Sequence, residues 1–244
     1  MRTQKKIFKK LITGILFAFL TFFNNVYPSH IVGGFITYKC IGQDSFVVIL
    51  TLYRDCQGVD LGGTDFVSAY FPSCGQTITI NVDTGAYLIP GMGGSQEVSQ
   101  LCPQYAPFSA CNGGNLPGIQ RFIYTGLLVI PPGCGGDVEL SWSNCCKNAA
   151  IVNIANPSSI GTTLITTFNT NVAPCDDGAY VSSMPVPYVC VNQPVSYNYG
   201  IVDLNGDSIY VQFTSSLDDA GNPVTYNPGY SATSPIPGIS LNPN

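Results

Sequence analysis

The chain has 244 residues, nine of them basic and fourteen acidic, for a net charge of −5. Arg2, Lys5, Lys6, Lys9 and Lys10 all fall in the first ten residues, so from residue 30 onward only Lys39, Arg54, Arg121 and Lys147 face fourteen carboxylates, a balance of −10. That balance excludes an electrostatic footprint for nucleic acid and repels anionic membrane surfaces, while an apolar share of 45% is too high for a disordered chain.

The basic head is followed by an uncharged apolar run from Leu11 to Phe23. At thirteen residues it falls short of the roughly twenty needed to span a bilayer, but it suits the apolar core of a secretory signal. Residues 1–29 are therefore predicted to be a signal peptide cut after Ser29, although Tyr27 is bulky for that site. A retained N-terminal anchor is the alternative. No later apolar run is long enough to cross a membrane, so the chain is expected outside the cell.

From residue 31 on, period-two patterns recur and helical ones do not. Residues 31–40 and 46–55 form a predicted hairpin, and Phe46 to Tyr53 reads as a strand buried on both sides. Thr77 to Val82 alternates cleanly. Phe122, Tyr124, Leu128 and Ile130 share a face, as do Val138, Leu140 and Trp142, with Trp142 read as a core aromatic packed on a disulfide. Arg54 and Asp55 are expected to pair locally or to brace a turn. Val195, Tyr197 and Tyr199, then Ile209, Val211 and Phe213, suggest two further strands. Turn signals separate these runs at Gly62-Gly63, Pro90-Gly91, Gly113-Gly114, Pro131-Pro132-Gly133 and Asn205-Gly206. The expected class is all-β: a disulfide-rich β-sandwich-like domain over 30–172, then the start of an immunoglobulin-like or cadherin-like module over 173–244, cut short before its last strands. Pro174, Cys175, Pro185, Pro187 and Cys190 make the connector between them.

All ten cysteines lie in the exported part: Cys40, Cys56, Cys74, Cys102, Cys111, Cys134, Cys145, Cys146, Cys175 and Cys190. An even count in an exported chain reads as disulfides, and neither a Cys-x-x-Cys pair nor a histidine other than His30 supports a zinc site. Cys102 with Cys111 and Cys175 with Cys190 are the local pairings to expect. Cys40 with Cys56 is excluded, because the hairpin would hold them roughly 30 Å apart. The neighbours Cys145 and Cys146 are expected to point to opposite sides of a strand and to have different partners.

Three kinds of chemistry are open to these residues. Asp203, Asn205 and Asp207 alternate around Gly206 and present hard oxygens within one turn, as a structural calcium site would. Asp218 and Asp219 are candidates to complete the shell. The competing reading is a turn whose side chains cap their own backbone. An EF-hand is excluded, since Thr214 stands where the bidentate glutamate belongs. Catalysis has little to work with: a lone His30 assembles no triad, and nominating a glycosidase pair from Glu97, Glu139, Asp44 and Asp137 carries no information among so many acids. Gly91 to Gly94 lacks the lysine and helix of a phosphate cradle. Fourteen tyrosines and one tryptophan leave room for an aromatic sugar-binding surface.

Several phrases also resemble a family of large exported proteins of Bacteroidota. They are Ser29 to Gly34 with Tyr38-Lys39-Cys40, Leu50 to Cys56, the Cys111 to Gly114 loop, Ser141 to Ile151 with Lys147 in place of the usual arginine, and Asp203 to Tyr210 with Asn205 for an aspartate. They occur in the family's order along nearly the whole mature chain. The resemblance implies a cell-surface protein of the gliding-motility-associated, type IX-exported kind, built from immunoglobulin-like modules. Its function is expected to be structural and adhesive rather than enzymatic, with extracellular polymers, glycans or other surface proteins as partners. A dedicated cell-surface carbohydrate-binding module is the alternative.

Overall fold

The computed structural model of this chain describes residues 31–85, 88–183, 188–189 and 192–242. The proposed signal peptide, His30 and Cys190 lie outside them. The chain is all-β. Its strands are β1 (Ile31–Gly42), β2 (Ser45–Asp55), β3 (Thr64–Phe71), β4 (Gln76–Asp83), β5 (Gly94–Glu97), β6 (Ile119–Val129), β7 (Asp137–Asn144) and β8 (Thr162–Asn169), with two-residue strands β9 (Tyr180–Val181) and β10 (Ile201–Val202) after them. No described helix is long and apolar enough to cross a membrane.

Strands β1 to β8 form one antiparallel sheet in the order β1-β2-β6-β4-β3-β7-β8, with β5 added to β6. The sheet curls until its two ends meet. There the Thr166 hydroxyl donates to the Ile36 carbonyl at 2.7 Å, which leaves it nearly closed around one core. Gly34 makes this approach possible, since a Cβ there would come within 2.6 Å of the Thr51 carbonyl and 3.1 Å of Leu164. Alternation decides what enters the core: Phe46, Val48, Leu50 and Leu52 from β2, Phe122, Tyr124 and Leu128 from β6, and Val138, Leu140 and Trp142 from β7. Trp142 is thus a core residue, and its indole N–H donates to Asp65 at 3.0 Å. The fully buried Tyr124 donates its hydroxyl to the Gly62 carbonyl at 3.0 Å.

The β1/β2 hairpin has the expected register, with Cys40 opposite Phe46 near the turn and Ile31 opposite Arg54 at the open end. Strand β2 is buried on both faces from Phe46 to Arg54, as its continuous apolar run predicted. Its second face, with Val47, Ile49 and Thr51, is buried as well, and later segments that include β9 lie over Ile49 and Thr51. Arg54 braces the following turn through Gly58 at 3.0 Å and Gln120 at 2.8 Å, and its nearest carboxylate is Asp60 at 3.8 Å rather than Asp55. Asp55 instead accepts the backbone N–H of Gln57.

The expected local pairs Cys102–Cys111 and Cys175–Cys190 do not form, because Cys111 and Cys175 are bonded elsewhere. The bonds are Cys40–Cys175, Cys56–Cys111, Cys74–Cys134 and Cys145–Cys146. Cys56 leaves β2 hydrogen-bonded to Gly118, which brings the Cys111 loop onto it. Cys175 reaches Cys40 because the chain doubles back along β1 after β8. Cys145 and Cys146 bond to each other because β7 ends at Asn144, so strand alternation no longer holds their side chains apart. Cys102 is exposed and has no disulfide partner among the described residues. The strands read from Val195 to Tyr199 and from Ile209 to Phe213 do not form among the described residues. Alternation specifies a face but does not supply a strand ladder, and the first run is held at its end, where the Tyr199 carbonyl accepts the Ser183 N–H at 3.3 Å.

Candidate functional site

The predicted ligands Asp203, Asn205 and Asp207 come to lie at the junction where the chain doubles back over β1. The segment after Cys175 is fixed residue by residue. Lys39 forms an ion pair with Asp177 at 3.0 Å, and the other carboxylate oxygen of Asp177 accepts the Cys40 N–H at 2.8 Å. Gly178 donates its N–H to the Tyr38 carbonyl at 2.8 Å, and the Thr37 hydroxyl lies 3.0 Å from both the Gly178 and Ala179 carbonyls. Only glycine fits at 178, because a Cβ would stand 2.7 Å from the Thr37 hydroxyl and 2.9 Å from the Tyr38 ring. With Cys40–Cys175 beside them, these contacts make a covalent, ionic and hydrogen-bonded latch.

Asp203 accepts the N–H groups of Asn205 at 2.9 Å and Asp207 at 3.1 Å, and Asn205 accepts the N–H of Asp177 at 3.0 Å. The turn therefore does cap backbone, its own and that of the latch. Asp176 joins the group, a residue that sequence reasoning missed because it lies 27 positions before Asp203. Burial, then the charges of Asp207 and Asp203, push the Asp176 carboxyl above the ordinary aspartate range. Asp218 and Asp219 do not join it. Asp218 caps Ala220 and Asn222, Asp219 accepts the Gly161 N–H, and both bear on Lys147 instead. Among the described residues no three His, Cys, Asp or Glu side chains are grouped to hold a metal ion.

Beneath the latch a mostly apolar cavity of about 150 Å³ separates the outer face of β1 and β2, at Phe35, Ile49 and Thr51, from Ile89, Met92 and Leu204. The buried Tyr38 stacks on Phe168 at 4.2 Å. Its phenol is pushed up to about 12, by burial first and then by Asp176, Asp203, Asp177 and Asp207. A tyrosine whose folded pKa is raised gives stability that is complete below pH 10 and is lost as pH climbs through about 12. Two pH units correspond to about 3 kcal/mol. Burial raises Tyr124 as well, whereas burial lowers Lys147, whose contribution is a penalty at low pH that fades as pH rises toward 10.5. Denaturant unfolding with Cys102 alkylated is expected to show stability falling between pH 10 and 12. Tyr38→Phe should flatten that fall, and an unchanged slope in this variant would refute the assignment.

Lys147 anchors a second junction. Its buried ammonium donates to the Gly161 carbonyl, to the Thr162 hydroxyl at 3.0 Å and to the Leu217 carbonyl at 3.0 Å. It thereby ties the end of β7 and the start of β8 to the turn at 217–223. Of the nominated carboxylates, Glu97 accepts from Asn112, Asp137 accepts from Asn169, and Glu139 lies on β7 opposite Thr167. Glu97 and Glu139 are on strands far apart in the sheet order, and nothing brings the four together. Comparison with protein-family models, curated proteins and solved structures returns no match.

Proposed function

We propose that this chain is a non-catalytic structural and adhesive module of the bacterial cell exterior, exported through residues 1–29 and built into a longer surface protein of immunoglobulin-like units. The observation that carries the reading is the Cys40–Cys175 bond, which joins the first strand to the segment leaving the sandwich. Tension entering near Ile31 reaches Cys40, passes through the sulfurs to Cys175 and leaves toward residue 242. The chain between the two cysteines, and with it most of the core, is bypassed. A module in series between a cell and a surface needs that property, whereas an enzyme does not.

Single-molecule pulling from residue 31 to residue 242 tests this. The oxidised protein is expected to lengthen by no more than the roughly 75 residues outside the loop, about 25 nm at roughly 3.5 Å per residue. Cys40→Ser/Cys175→Ser should release roughly 150 residues, about 50 nm, because Cys74–Cys134 and Cys56–Cys111 still bridge part of the chain. A release of that length from the oxidised protein would sink the reading.

Calcium is proposed as a structural ligand of the same junction, held by Asp203, Asn205 and Asp207 with Asp176 beside them. A bound cation would offset the mutual repulsion that raises Asp176. At a hundred times its dissociation constant, calcium is expected to add about 2.7 kcal/mol to stability, and Asp203→Asn/Asp207→Asn should abolish the gain. An identical melting curve in calcium and in chelator would leave the turn as a backbone cap alone.

A carbohydrate-binding role is the second reading. Phe66 and Tyr70, 56% and 40% exposed on one strand, favour it.

A further inference from the structure

Strand β3 divides its side chains between two tasks. Val67, Ala69 and Phe71 are fully buried in the core, and Asp65 accepts the Trp142 indole N–H. Phe66, Ser68 and Tyr70 point the other way, and the fold makes no use of the two rings. The β3/β4 register sets Asn81 beside Phe66, Thr79 beside Ser68 and Thr77 beside Tyr70. On the other flank Ser141 stands beside Ser68 and Glu139 beside Tyr70. The outward face of β4, β3 and β7 is thus a lattice of hydroxyl and amide groups interrupted by two exposed aromatic rings, bordered on β8 by the exposed Ile165 and, at Ser143 and Thr163, by the turn at Asp218 and Asp219.

We propose that this face of β4, β3 and β7 binds an extended neutral polysaccharide, with Phe66 and Tyr70 as its stacking residues. The proposal rests on the adhesive reading and supplies the partner's chemical class. Four residues of strand separate the rings by roughly 13 Å, the span of a short oligosaccharide, so both can stack on one chain. The apolar C–H faces of sugar rings suit exposed aromatic faces, and their hydroxyls match Ser68, Thr79, Asn81 and Ser141, which both donate and accept.

Charge selects among polymers. The four cations beyond residue 30 are engaged elsewhere: Lys39 with Asp177, Arg54 with Gly58 and Gln120, Arg121 with Gln96, and Lys147 with its carbonyls. With Glu139 as the charge beside Tyr70, the face repels polyanions such as nucleic acids and uronate-rich glycans. Isolated rings set among hydroxyls are also a poor match for the continuous apolar centre of a protein–protein interface.

The test is retention of the oxidised protein on immobilised β-glucan, xylan and mannan, with alginate as the charged control. Saturable binding to a neutral polymer is expected, at least tenfold weaker in Phe66→Ala/Tyr70→Ala and unchanged in Phe108→Ala, which removes an exposed ring from a distant loop. Near-ultraviolet circular dichroism and melting temperature should be unaltered in the double variant, because neither ring enters the core. Neutral-polymer binding that survives the double substitution overturns the face while leaving the adhesive reading standing. So does retention on alginate alone. A concentration-dependent dimer lost in Phe66→Ala would make the occupant a second copy and overturn the proposal too. Absence of binding to every polymer ends it, whereas the pulling experiment judges the stalk role independently.

Discussion

Replacing Cys40 and Cys175 with serine is expected to lower folding stability by about 5 kcal/mol, the largest effect of any disulfide here. The bond closes a loop with a sequence separation of 135, and in the chain-entropy description the cost to the unfolded state rises with the logarithm of loop length, to about 5 kcal/mol at this size. The other two long-range bonds, with separations of 55 and 60, should each be worth about 4 kcal/mol on the same basis. Cys145–Cys146 closes no chain loop, so Cys145→Ser/Cys146→Ser should cost far less. Removing Cys40–Cys175 should also loosen the latch, since Asp177 and Gly178 are positioned within three residues of Cys175. The measurements are urea unfolding of the four disulfide variants and limited proteolysis near residues 175–181. Equal losses for the Cys40–Cys175 and Cys145–Cys146 variants would refute the loop-length account.

Phe46→Ala is expected to cost about 4 kcal/mol, more than a buried aliphatic of similar accessibility. Phe46 is fully buried and packs against the stacked pair of Phe168, at 5.0 Å, and Tyr38, at 6.0 Å and edge-on. This aromatic group fills the seam where β1 approaches β8, and β1 and β8 share no strand ladder across it. Packing therefore carries what backbone pairing does not, and a cavity here should let the closed sheet open along that line. Phe46→Leu should cost under about 1.5 kcal/mol. Hydrogen exchange at Ile36 to Cys40 and Thr162 to Phe168 should rise in Phe46→Ala and remain slow across β2/β6. Uniform loosening of all strands would argue against a special role for the seam.

Both experiments concern features that the residue pattern reveals only in part. Alternation in β4, β6 and β7 identified their inward faces correctly, because a half-buried strand writes its burial directly into a period of two, while the unbroken apolar run of β2 marked a strand buried on both faces. The outward side of β3 was harder to find. Phe66 and Tyr70 share a face with Ser68, so the strand's polarity does not alternate cleanly, and its functional interest lies in what stands beside it on β4 and β7. Strand β8, a run of threonines around Leu164 and Phe168, carried a usable β-branched signal. The calcium-type turn at Asp203 was legible as a cluster, but Asp176 and Asp177, which meet it in space, were not.

By itself the sequence determined the class of this protein: an acidic, cysteine-rich, turn-punctuated chain whose apolar residues repeat every second position can bury them only in an all-β structure. It also excluded Cys40–Cys56, since strand rise alone sets that distance. The tertiary structure decided which cysteines meet, which carboxylates share the latch with Tyr38, and which side of β3 faces solvent. These are contacts between residues far apart along the chain, and they depend on where the sheet closes. Closure is a property of the summed packing at the β1/β8 seam, written in no single segment.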